Sequence, residues 1–122
     1  MKIIYSLILL LLCELAYSQK RTNDIDELIK ITNSGLAEKQ TVSFSKETST
    51  LTIGTWKIPV SRDTQVKFFR NKGKYEVEFM LQRGTVVTST SDVNAKKAWF
   101  TLTFNSRQSA KEFTRLFSKA SK

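Results

Sequence analysis

The stretch Trp99 to Ala120 reads WFTLTFNSRQSAKEFTRLFSKA, and the spacing of its apolar residues changes halfway along. Ala98, Phe100, Leu102 and Phe104 alternate with Trp99, Thr101 and Thr103, the period of a strand with one face turned inward. After Asn105 the apolar residues are Ala110, Phe113, Leu116, Phe117 and Ala120, three and four apart, which is the stripe of an amphipathic helix. Asn105 is placed to cap that helix, with Gln108 reaching back to it. A strand face and a helix stripe this apolar must both be covered. The nearest cover for each is the other, so the chain is expected to close as a helix laid on a sheet.

The same alternation runs through the middle of the chain. Val42 and Phe44, Leu51 and Ile53, then Trp56, Ile58 and Val60 lie at strand spacing. Their parity flips across Gly54, which is either a bulge in one bent strand or a tight turn between two short ones. Pro59 suits a strand end or edge. Val66, Phe68 and Phe69 follow, then the hairpin signal Asn71-Lys72-Gly73. Beyond it Tyr75, Val77, Phe79 and Leu81 share one face, opposite Lys74, Glu76, Glu78 and Gln82. Arg83-Gly84 turns the chain into a strand from Val86 to Ser91, and Asp92 to Lys97 reads as a loop. The expectation is an α+β domain with a six- or seven-stranded antiparallel bent sheet or partly open barrel. A short N-terminal helix precedes it and a capping C-terminal helix closes it.

The N-terminal helix is read from Ile25, Leu28, Ile29, Thr32 and Leu36, which fall on one side. Thr22 or Asn23 would cap it, acidic Asp24, Asp26 and Glu27 suit its first turn, and Gly35 would stop it. Such a helix is too short to stand alone and must dock.

Ahead of it lies a leader. Lys2 is followed by an apolar run to Leu12, and Ala16 and Ser18 are small residues at the positions a signal peptidase reads. Cleavage between Ser18 and Gln19 would export the chain to a secreted or periplasmic location. Glu14 interrupts the run short of the ~20 residues a spanning helix needs, so no transmembrane segment is expected once the leader is removed. Leu12 before Cys13 is too large for a lipidation signal. The organisation is therefore residues 1–18 as leader, 19–40 as lead-in and short helix, and 41–122 as the β domain with its closing helix.

Loss of the leader removes Lys2 and Glu14 together, so the formal net charge stays at +9. It also removes Cys13, the one cysteine, and the chain has no histidine. Without those residues zinc, copper and haem ligation, thiol nucleophiles and a Ser-His-Asp arrangement are ruled out, and no cofactor is expected. Carboxylate catalysis would need two acids facing across a cleft, with Asp63, Glu76, Glu78 and Asp92 as the candidates. Glu76 and Glu78 share a solvated strand face instead, so the chain is read as no enzyme.

Two stretches carry a family resemblance. WKIPVSRDTQVKF, Trp56 to Phe68, resembles a strand–turn–strand of bacterial pleckstrin-homology-like domains. FTLTFNSRQSAKEFTRLF, Phe100 to Phe117, resembles their last strand and closing helix. With the strands between, the likeness covers residues 41–121. It implies a bent, partly open barrel plugged at one end by Phe113, Leu116 and Phe117. Phosphoinositide-binding members carry paired basic residues on their first two strands and the loop between. This chain has only Lys46 there, beside Glu47, and its closing helix has no tryptophan. These departures argue against inositol-phosphate recognition.

Charge is the main functional signal. A net +9 attracts anionic lipid, acidic glycan or an acidic protein, whereas no nucleic-acid recognition motif is present and an exported chain rarely meets that partner. The candidate contacts are Lys67, Arg70, Lys72, Lys74, Lys96, Lys97, Lys111, Arg115 and Lys119. Phe69 and Trp99 oppose the core parity of their strands. They are either exposed contacts or residues covered by the N-terminal helix. The expected function is an exported, non-catalytic binding module for an anionic surface or a protein partner. The alternative is a carrier for a small apolar ligand within the barrel.

Overall fold

The computed structural model describes residues 22–122. The leader, its cleavage site and Cys13 lie outside the described residues. Helix α1 covers residues 22–35. Strands β1 (Val42–Ser45), β2 (Thr50–Ile53), β3 (Trp56–Pro59), β4 (Thr64–Asn71), β5 (Lys74–Leu81), β6 (Val87–Ser89), β7 (Lys96–Lys97) and β8 (Trp99–Phe104) follow, and helix α2 (Arg107–Ala120) ends the fold.

The strands form two antiparallel sheets, β1-β2-β3-β6-β7 and β4-β5-β8, rather than one continuous bent sheet. The chain changes sheets at places with a physical cause. Pro59 ends β3, having no N–H to donate, and the Ser61–Asp63 turn carries the chain across. At Ala98 a single residue separates β7 from β8, and its carbonyl accepts from the Leu81 N–H at 2.9 Å in the second sheet. Strand β7 lies within the expected loop. Two residues are too few to show a period, and its existence depends on its partner, since Val87 pairs with Lys97 and Thr88 with Lys96.

Gly54 is a turn. It has φ 62° in the two-residue loop joining Ile53 to Trp56, at the first loop position, where a type II′ hairpin requires glycine. The next sharp turn, Lys72-Gly73, has φ 51° and 80°, the doubly positive pattern of type I′.

The inner face of the small sheet is a set of cross-strand rows: Val66–Phe79–Phe100, Phe68–Val77–Leu102 and Arg70–Tyr75–Phe104. Helix α2 lays its stripe on this face. Phe79 meets Phe113 at 5.8 Å and Phe117 at 5.3 Å between ring centroids, both edge-on, and Phe104 meets Phe113 at 5.1 Å. Leu51, Ile53, Ile58 and Val87 of the large sheet, with Val60 just past β3, complete the same core. Trp56 reaches Phe100 at 5.7 Å to join the two sheets.

Helix α1 buries Ile25, Leu28 and Thr32. It runs antiparallel beside α2, with Gly35 against Ser109 and with Asp24 and Glu27 acting on Arg115. Leu36 then bridges Phe104 on the outer edge of β8, with Ala37 N–H donating to the Thr103 carbonyl at 3.0 Å and Asn105 N–H to that of Gly35 at 2.7 Å.

Three local expectations change. Thr22 and Asn23 are already helical, so neither caps α1. Gly35 takes no left-handed conformation; it is required because a β-carbon there would sit 2.7 Å from Ser109 Cβ. The cap of α2 is Ser106, whose hydroxyl accepts from Ser109 N–H at 3.1 Å. Asn105 instead donates its side-chain amide to the Ser34 carbonyl at 3.3 Å, fastening α1 to the start of α2.

Candidate functional site

The type I′ turn projects Arg70, Lys72 and Lys74 from one end of the small sheet. Arg70 and Tyr75 are register partners, and the Arg70 guanidinium lies 5.8 Å from the Tyr75 ring centroid. Phe104 is next in that row. Only Asn105 and Ser106 separate it from Arg107, the first residue of α2. Strand end and helix start therefore meet, and Phe68, Arg70, Tyr75 and Arg107 line a cleft of about 280 Å³. One turn further along α2, Lys111 places its Nζ 5.8 Å from the Phe68 ring centroid. Ring faces carry negative quadrupole density, so each ring helps hold its cation in place.

Among the described residues no ion pair joins the cations at this end. Among the described residues the ion pairs are Arg83–Asp63 at 3.8 Å and Arg115–Glu112. Neither involves Arg70, Lys72, Lys74, Arg107 or Lys111. The first turn of α2 has no acidic residue, so the positive end of its dipole adds to the same field.

Of the nine basic residues picked out above, Arg70, Lys72, Lys74 and Lys111 fall at the hairpin end of the small sheet, Arg70 and Lys111 on its inner face and Lys74 on the outer face beside Glu76. The other five do not join them. Lys67 sits on the outer face of β4 opposite Glu78. Lys96 and Lys97 belong to the other sheet, where Lys97 Nζ rests 4.2 Å from the Trp56 ring centroid and 5.9 Å from that of Phe100. Arg115 binds Glu112, whose acceptor oxygens and charge raise the guanidinium pKa above its ordinary value. Lys119 is in the last turn of α2, far along the helix from Arg107.

Arg107 is the residue that reading the sequence missed. Within its own helix it is one more exposed cation. Its place shows only through the register that sets Arg70, Tyr75 and Phe104 side by side, three residues before it.

A second cleft, of about 570 Å³, lies next to the first. Trp56, Phe100 and residues 36–38 line it, with Lys74 and Tyr75 at its border with the basic end. On the opposite, outer face of the small sheet, Trp99 is 59% exposed and Met80, its register partner, 44%. Helix α1 therefore does not cover Trp99, which donates its ring N–H to Glu78. Phe69 is half-buried on that face opposite Glu76.

The candidate acids lie on separate parts of the fold. Asp63 precedes β4 and pairs with Arg83, Glu76 and Glu78 are on the outer face of β5, and Asp92 in the β6–β7 loop accepts from Asn94 N–H at 3.0 Å. Among the described residues no group of three or more potential metal ligands gathers, and no helix is long and apolar enough to cross a membrane. Comparison with protein-family models, with curated proteins and with solved structures finds no match for this chain.

Proposed function

We propose that this chain is a non-catalytic binding module that holds an anionic surface at the β4–β5 end of its fold. One observation carries the reading. Arg70, Lys72, Lys74, Arg107 and Lys111 lie toward one end on β4, the turn, β5 and α2, and among the described residues no carboxylate forms an ion pair with any of them. Self-repulsion among gathered cations costs stability, and an anionic partner relieves it.

The contact works through charge rather than insertion. The turn tip, Asn71-Lys72-Gly73-Lys74, offers no apolar side chain to a bilayer. The exposed Trp99 and Met80 lie toward the far end of β5 from that tip. The expected leader would place this surface outside the cytoplasm, facing anionic headgroups or acidic glycans.

We read the two sheets closed by α2 as a pleckstrin-homology-like arrangement. Its support is the ring cluster of Phe79, Phe104, Phe113 and Phe117 beneath α2. That cluster packs beneath α2, which supports the binding-module reading over a carrier for an apolar ligand.

The test is binding to vesicles with and without anionic lipid, and to an immobilised acidic glycan, over rising salt. Binding that needs the anionic component and weakens steeply with salt is the expected result. Binding indifferent to both would refute the module.

A further inference from the structure

We propose that the cleft between Arg70 and Arg107 is a discrete site for one tetrahedral oxyanion, a phosphate or sulfate group. This rests on the binding-module reading above and narrows it from a charged surface to a defined pocket. Three features of the cleft select the ligand.

The first is donor geometry. Arg70 and Arg107 bring two planar guanidinium forks from different elements to the same small space, and Lys111 adds an ammonium one helical turn away. Guanidinium forks match oxyanion oxygens two at a time. A carboxylate has two oxygens and one charge, too few to use both forks. A phosphate or sulfate group offers oxygens in several directions and, as a phosphate monoester, more than one charge.

The second is preorganisation. Arg70 is held against Tyr75, 5.8 Å from its ring centroid, and Lys111 against Phe68 at the same distance. Arg107 is fixed by a helix start that Ser106 caps and Asn105 ties to α1. The Arg107 backbone is thus set in place, and its exposed guanidinium is what remains to be ordered on binding.

The third is size and polarity. About 280 Å³ is ample for one oxyanion group together with part of whatever bears it, and Phe68 and Tyr75 form apolar walls that lower the local dielectric. Lys72 and Lys74 lie outside this cleft, where they meet the rest of a larger anionic partner.

The test is an amide NMR titration of the ¹⁵N-labelled protein with inorganic phosphate, and separately with sulfate, sodium chloride holding the ionic strength constant. The expected result is saturable shifts confined to the surroundings of Arg70, Tyr75 and Arg107. In Arg107→Gln, loss of a charge-assisted contact should weaken binding about tenfold, while Lys119→Gln leaves it unchanged. Shifts that never saturate, that spread equally to Lys96 and Lys119, or that survive in Arg107→Gln would overturn the site. A second arm uses vesicles carrying phosphate-monoester headgroups. Competition with free phosphate assigns the headgroup as a source, and absence of competition with the shifts intact assigns the free ion. Salt-sensitive vesicle binding without saturable phosphate shifts rejects the cleft and leaves the wider anionic-surface reading standing.

Discussion

Gly35 and Ser109 meet where the end of α1 passes the start of α2, and a β-carbon on Gly35 would lie 2.7 Å from Ser109 Cβ and 3.2 Å from Phe104 Cδ2. Neither neighbour is the loose end of a long side chain, so α1 or α2 must move to admit one. Gly35→Ala is expected to destabilise the fold by about 1–3 kcal/mol, outweighing the roughly 1 kcal/mol that alanine gains in a helix. Denaturant midpoints check this. The loss should shrink in a Ser109→Gly background, because the two sites are coupled by contact.

Phe117 and Phe113 hold α2 to the sheet. Both are fully buried, and both meet Phe79 edge-on. Either change to alanine is expected to cost about 3–5 kcal/mol, enough to threaten folding of a domain this small. Urea unfolding of Phe117→Leu, which keeps most of the volume, should show a much smaller loss.

This seam was legible in the sequence because both of its halves are periodic. Tyr75, Val77, Phe79 and Leu81 advertise an inward strand face, and Ala110, Phe113, Leu116, Phe117 and Ala120 a helix stripe, whatever the rest of the chain does. Local pattern says nothing about which strand lies next to which. The division into two sheets, the pairing of Lys96 and Lys97 with β6, and the meeting of Arg70 with Arg107 all depend on register between distant segments. Sequence alone therefore offers nine cations without ranking them, and four of these fall at the hairpin end. An Asn-Ser pair permits either residue to hold the cap, so local sequence does not choose between Asn105 and Ser106. The structure gives the cap to Ser106 because Asn105 is needed by Ser34.

Ser106→Ala is accordingly expected to cost about 1 kcal/mol, the usual value of a lost N-cap. Asn105→Ala removes one exposed side-chain bond to Ser34 and should cost less. A larger loss for Asn105→Ala in paired unfolding curves would return the cap to that residue.

Glu112 and Arg115 give a pH signature. The hydrogen bond from Arg115 holds the Glu112 carboxyl below its ordinary range, against a smaller upward push from burial. A carboxyl lowered in the folded state favours folding above its unfolded pKa and loses that contribution as pH falls through the folded one. The pair is exposed, so its effect on stability should be slight. Side-chain NMR should find Glu112 titrating below a normal glutamate, and Arg115→Gln should return it toward normal.

The position of the cations, beyond their number, is what the proposed function turns on. Two triple variants separate the two: Arg70→Gln/Arg107→Gln/Lys111→Gln at the hairpin end, and Lys67→Gln/Lys96→Gln/Lys119→Gln elsewhere. Each removes three positive charges, so the formal net charge falls equally from +9. Flotation with anionic vesicles at fixed salt should show affinity reduced at least about tenfold in the first and close to wild type in the second. Equal losses in the two variants would mean that total charge alone drives the attraction, and would contradict a binding site at the β4–β5 end.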